Sequence, residues 1–125
     1  MANVNECLNE ALQIDGSLAV ALGDWKSGMC LGANGANTAA YPASKLELAI
    51  AGNTEVIRAK KTAAQSLGLN DHIEDILITL KTQYHLIRMV EAHPSLFFYL
   101  VLDRNKSNLA MARLKLAQIE QKISI

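Results

Sequence analysis

The stretch SKLELAIAGNTEVIRAKKTAAQS, Ser44 to Ser66, decides the fold. With successive residues set 100° apart, Leu46, Ile50, Ile57 and Ala64 form one apolar stripe of a helix. Leu48, Gly52, Ala59 and Ala63, with Val56 beside them, form a neighbouring stripe. Together the stripes span about 200°, twice the roughly 100° that covers one sheet, so this helix needs two partners. The second stripe is built from small residues and suits close approach of another helix, from this chain or from another copy. Asn53 and Lys60 fall inside the apolar arc. Polar groups on a packing surface resemble the buried polar residue that sets register in a coiled coil at some expense in stability. The helix begins after Pro42, where Ser44 and Glu47 have capping-box spacing, and it ends at Gly68 and Asn70.

On the N-terminal side, Val4, Cys7, Leu8, Ala11 and Leu12 share one side of a helix capped by Asn3 and stopped by Gly16. From Ser17 to Asp24, bulky Leu18, Val20 and Leu22 alternate with Ala19, Ala21 and Gly23, which predicts a central strand with one face small enough for a helix to lie close. Asp24 to Gly28 turns the chain, and Met29 to Gly32 returns as a short strand before a Gly/Asn-rich loop, GANGAN, at Gly32 to Asn37. On the C-terminal side, Ile73 to Leu80 and Tyr84 to Glu91 alternate as a hairpin. Leu96 to Asp103 is apolar on both faces and belongs in the middle of a covered sheet. A last helix, capped by Asn105 or Ser107, carries Leu109, Ala112, Leu116, Ile119 and Ile123. The order αββαβββα predicts an α+β fold, a five-stranded, mostly antiparallel sheet sandwiched by helices, in one domain over residues 1–125.

Composition sets the outer limits. A chain of 125 residues, half of them hydrophobic and 19% charged, is no disordered tail, and folding buries roughly two thirds of its surface without metal or disulfide staples. Twelve basic side chains balance twelve acidic ones, so the field that holds nucleic acid or anionic lipid is missing. Residues 1–57 nevertheless carry two basic and six acidic groups, while residues 58–125 carry ten and six, so the halves have opposite sign. Two cysteines without zinc spacing fit a reducing, cytoplasmic setting. The longest apolar run, Leu96 to Leu102, is far short of the ~20 residues of a bilayer span, so no membrane insertion is expected.

The common phosphate, dinucleotide, zinc and acyl-transfer motifs do not occur. His72, His85 and His93 have no metal-ligand spacing and read as structural or surface histidines. Cys30 reads as a small buried thiol, and Cys7 as core. An enzymatic alternative makes Cys30 a nucleophile with His85 or His93 as base. Arg58, Lys60 and Lys61 form a basic run that reads as a solvated face, Lys60 excepted. Asp71, Glu74 and Asp75 crowd a strand entrance, with a structural or solubilising reading. A pocket, if present, is expected near the Gly/Asn-rich loop and Trp25.

Three ordered segments carry a family resemblance: IDGSLAVALGDWKSGMCLG (Ile14 to Gly32), AGNTEVIRAKKTAAQSLG (Ala51 to Gly68), and EDILITLKTQYHLIRMVEAHPSLFFYLVLDRNKSNLAMARLKL (Glu74 to Leu116). In this order they resemble the Roadblock/dynein light-chain family in its bacterial branch, over nearly the whole chain. The resemblance implies a profilin- and longin-like fold whose sheet lies between one helix and a pair. It also implies homodimers in which the second helices pack together and the third strands meet edge to edge. Such proteins bind Ras-like small GTPases as regulators or scaffold larger assemblies, and some bacterial members activate a GTPase without supplying an arginine finger. The expectation is therefore a homodimeric regulator or scaffold of a small GTPase, not itself an enzyme, with no cofactor, metal or catalytic residue. Leu48, Gly52, Asn53, Val56, Ala59, Lys60, Ile76, Leu77 and Ile78 are expected at its seam. The alternative is a dimeric adaptor in a cytoskeletal or sensory complex that binds no GTPase.

Overall fold

The small side of the first strand sets how closely a helix approaches the sheet. A computed structural model describes residues 3–35 and 40–125, and its elements are α1 (Val4–Leu12), β1 (Ser17–Asp24), β2 (Cys30–Gly35), α2 (Ala43–Ser66), β3 (Asp75–Thr79), β4 (Gln83–Met89), β5 (Leu96–Asp103) and α3 (Leu109–Glu120). A Cβ placed on Gly23 would lie 2.7 Å from Ile50 and 2.9 Å from Phe97, so glycine here admits α2 against β1.

The strands form one sheet in the order β2-β1-β5-β4-β3, and all four ladders are antiparallel. β5 takes the middle and β1 lies beside it, in the register Val20 to Leu100 and Ala21 to Tyr99. β5 is buried on both faces, as its doubly apolar run requires. On one face, Leu8, Ala11, Val20, Leu22, Phe98, Leu100, Ala112 and Leu116 join α1 and α3 to the sheet. On the other, Ala19, Ala21, Phe97, Tyr99, Val101 and Ile87 pack under Leu46, Ile50 and Ile57 of α2. One helix therefore faces a pair across the sheet.

Helix ends depart from the expected caps. Pro42 occupies the N-cap of α2, with φ −67° and ψ 156°, so the helix starts at Ala43. Ser44 and Glu47 then lie inside the first turn, and the capping box does not form. Asn108, not Asn105 or Ser107, caps α3, its side chain accepting the Met111 N–H at 3.1 Å. Ser107 packs against Gly16, at φ +81°, where a Cβ would lie 2.7 Å from Ser107 Cβ, and its hydroxyl is buried without a hydrogen-bond partner. Asn3 holds the N-cap position of α1 without capping it. Its amide instead donates to the Lys122 carbonyl and its carbonyl oxygen accepts the Ser124 N–H, both at 2.7 Å. The C-terminus of α2 closes as expected at Gly68, φ +72°, with Leu69 N–H donating to Ala64 O and Gly68 N–H to Gln65 O.

Strand limits shift as well. The pairing of β2 with β1 continues through Gly35, so Gly32 to Gly35 is strand and not loop; Ala36 and Asn37 lie outside the described residues. β3 is shorter than Ile73 to Leu80, and β4 begins at Gln83 and ends at Met89.

Candidate protein interface

α2 lies over β1 and β2, leaving the β4 and β3 side of that face open. Its orientation is set by contacts from one flank. Arg58 donates to the Lys26 carbonyl at 2.8 Å and pairs with Glu55 at 3.0 Å, while the Lys61 ammonium stands 4.7 Å from the Trp25 ring. Trp25 in turn donates its indole N–H to the Pro94 carbonyl at 2.8 Å. Two members of the basic run are thus engaged by their own chain, and Lys60 is left on the opposite, open flank.

That flank is the second apolar stripe. Leu48 is 74% exposed and Val56 38%, with Gly52, Ala59 and Ala63 exposed between and beyond them. Leu67, at 75% exposure, continues the stripe past the helix end, and Leu69 follows at 57%. A Cβ on Gly52 would meet nothing within 4 Å. A glycine inside a helix costs about 1 kcal/mol against alanine, and nothing in this chain requires it there.

Facing the flank is β3, one of the two outer strands of the sheet, whose free side has no partner among the described residues. Val56, Ala59 and Lys60 of α2, with Ile73 and Ile76, line an open groove of about 680 Å³ between helix and strand. Ile76 packs with the α2-side core, and Ile78, two residues on, shares its face. Leu77, between them, turns its side chain to the other face, against the α1 and α3 core, and presents only its backbone at the β3 edge. Asn53 is half-buried, with its amide nitrogen buried and unpartnered. Leu67, Leu69 and Ile73 are additions to the expected set. The periodicity of Leu48 to Ala63 reaches Leu67 at the same four-residue step, but the stop at Ser66 hid it.

The floor of the open face carries a hydrogen-bonded chain. Tyr99 O–H lies 3.0 Å from His85 Nδ1, and His85 Nε2 lies 2.9 Å from Gln83 Oε1, which also accepts from Tyr41 O–H at 3.0 Å. Burial holds His85 below the ordinary imidazole range. Burial chiefly, then the neighbouring Tyr41, pushes the Tyr99 hydroxyl up to about 12, with Asn53 pulling the other way.

The remaining candidates are accounted for by packing. Asp75 forms a two-pronged pair with Arg113, at 2.7 and 2.9 Å. Arg88 sits between Glu120 at 3.4 Å and Glu74 and Asp75 at 3.9 Å, and Glu120, 1% exposed, also accepts the Glu91 N–H. Asp75 and Glu120 fasten α3 to the β3–β4 hairpin, while Glu74 stays exposed. A cavity of about 480 Å³ lies beside the Arg88 and Glu120 pair, at the sheet end; Lys61 and Pro94, which both contact Trp25, line it, and no described residue of the Gly/Asn-rich segment does. Burial raises both thiols above their ordinary range. Cys30 donates to the Gly32 carbonyl at 3.4 Å, and three strand spacings, roughly 14 Å, separate β2 from His85 on β4. Among the described residues no group of three His, Cys, Asp or Glu is placed to hold a metal, and no helix is long and apolar enough to cross a membrane.

No family model and no curated protein matches the chain. Solved structures do. A Roadblock/LC7 domain from Streptomyces avermitilis superposes with a TM-score of 0.81 at 10% identity, over 96% of this chain and 93% of that one. MglB from Myxococcus xanthus gives 0.79 at 13% identity, over 94% and 89%. The gliding protein MglB from Thermus thermophilus gives 0.72 at 21% identity, over 95% and 89%. The chain has the Roadblock/LC7 fold.

Proposed function

We propose that the protein is a cytoplasmic homodimer that regulates or scaffolds a small Ras-like GTPase by protein contact, with no catalytic residue of its own. The observation that carries the reading is an apolar flank of α2 standing open beside an unpaired β3 edge. Leu48, Val56, Leu67 and the groove at Ile73 and Ile76 present one continuous surface, and Gly52 and Ala59 keep it low enough for a second helix. A second copy seated there covers the flank and pairs the edge, two liabilities that one chain leaves exposed. The seam consists of Leu48, Gly52, Asn53, Val56, Ala59, Lys60, Ile76 and Ile78, with Leu77 contributing its backbone at the β3 edge, joined by Leu67 and Ile73. The GTPase part of the reading is supported by the fold alone, which this chain shares with two bacterial MglB proteins, one of them described as a gliding protein. The raised thiols and the spacing of Cys30 from His85 weigh against a cysteine nucleophile.

Two measurements test it. Sedimentation equilibrium gives a dimer at micromolar concentration; a monomer there overturns the seam. Immobilised protein captures a small GTPase from a panel loaded with GDP or with GTP, preferring one nucleotide state. Equal neglect of both states favours an adaptor that binds no GTPase.

A further inference from the structure

We propose that pairing of two copies across this face is gated by His85, the seam closing over the neutral imidazole and loosening when the ring takes up a proton. The inference rests on the second-copy reading of the face and adds its regulation.

His85 lies in register between Ile78 of β3 and Val101 of β5, and Val101 belongs to the α2-side core. Residues paired across a sheet point to the same side, so the ring stands on the open floor beside Ile78, half-buried. One copy leaves that floor reachable by water. A second copy laid along α2 and β3 removes the water.

The ring is already fully committed in one protonation state. Gln83 Oε1 is an acceptor, shared with Tyr41 O–H, so Nε2 carries the hydrogen and Nδ1 accepts from Tyr99 O–H. The Tyr99 ring stands edge-on to the imidazole, at 84° and 5.5 Å between centroids. A proton added at Nδ1 meets a hydroxyl that must turn to accept it. The turned O–H then needs an acceptor of its own, and what Asn53 directs at the Tyr99 oxygen is its buried amide nitrogen, a further donor with no other partner. The surrounding groups from every packed element are Ile78 of β3, Gln83 of β4 itself, Tyr99 and Val101 of β5, Tyr41 ahead of α2 and Asn53 of α2. None is a carboxylate, so no anion compensates an imidazolium once water is gone.

The direction follows from linkage. If closing the seam lowers the imidazole pKa, association is strongest above the pKa of the free copy and weakens as pH falls through it. Each dimer buries two such rings, so a pKa lowered by about one unit in each ring weakens association up to about a hundredfold across the titration.

The test is sedimentation equilibrium of the full chain between about pH 8 and about pH 5.5 at constant ionic strength. His85→Gln and, as a control away from the groove, His93→Gln are measured alongside. NMR titration of the His85 ring is run in the wild-type dimer and in a monomeric Leu48→Glu variant. The wild type and His93→Gln are expected to lose at least about tenfold in affinity toward acid pH, His85→Gln less than about twofold, and His85 is expected to titrate lower in the dimer. A dimer of constant affinity, a His85→Gln protein with the wild-type pH dependence, or equal His85 pKa values in dimer and monomer each overturns the gate while leaving the seam intact. A chain that is monomeric at every pH removes the seam and the gate together. Should His85→Gln fail to fold, the NMR comparison decides alone.

Discussion

Truncation of Leu48 to alanine separates association from folding more cleanly than any other change to this surface. The side chain stands 74% exposed on α2, so its own fold has little use for it. Leucine to alanine removes about three carbons, worth about 0.8 kcal/mol each when fully buried. Counting only the exposed three quarters of the side chain gives about 1.8 kcal/mol per copy. A two-fold seam contains the substitution twice, for a total of about 3.5 kcal/mol, or about 400-fold in Kd. Folding of the single copy should change by no more than about 0.5 kcal/mol. Sedimentation equilibrium measures the first quantity. Urea unfolding at concentrations where both proteins are monomeric measures the second, because dimerisation would otherwise add to apparent stability. A Kd within about threefold of wild type in an intact fold would refute the placement of Leu48 in the seam. Loss of more than about 2 kcal/mol in the monomer would refute its description as an unpartnered side chain.

Gly52→Ala should raise monomer stability by up to about 1 kcal/mol in urea unfolding, because the new methyl meets no atom of its own chain, and should weaken association in the same preparation. Glu120→Ala should destabilise the fold by about 3 kcal/mol, since Arg88 loses its nearest carboxylate in a largely buried site; denaturant midpoints with unchanged m-values are the readout. Cys30 should alkylate slowly at neutral pH, its rate climbing only toward and beyond the ordinary thiol range, because burial raises its pKa and so lowers the thiolate fraction below it. Rapid modification of Cys30 at neutral pH, followed by mass spectrometry, would revive the nucleophile.

Where the sequence was legible, a short-range pattern had no competitor. Ser17 to Asp24 and Leu96 to Asp103 were read with the limits they have, because strict size alternation and a doubly apolar run are each bounded by turn residues. The two faces of α2 follow from angular position alone, and the buried Leu46, Ile50 and Ile57 against exposed Leu48 and Val56 bear that out. Caps were less legible because several residues offered the same chemistry. Asn105, Ser107 and Asn108 are all able to cap α3, and the choice falls to where the chain leaves β5 and where Gly16 presses on Ser107. Asn3 reads locally as a helix cap, yet its amide finds fixed backbone partners at Lys122 and Ser124, which no local pattern announces. Leu77 entered the expected seam as part of a run, whereas strand alternation turns it to the other face. The chain of Tyr41, Gln83, His85 and Tyr99 joins residues from separate parts of the chain and exists only after the sheet has formed.

The seating of β1 against β5 has a consequence for the order of assembly. The β1–β2 ribbon and the β3–β4–β5 meander each close through short turns, but the ladder uniting them waits for the last strand to be made. A nascent chain therefore carries the β5-facing edge of β1 unpaired until Leu96 to Asp103 is made, and a polypeptide stopped ahead of Leu96 has two loose flaps with no shared spine. Such late, distant zippering is the slow kind, so this small protein should fold with the tempo of a β-rich domain despite its three helices.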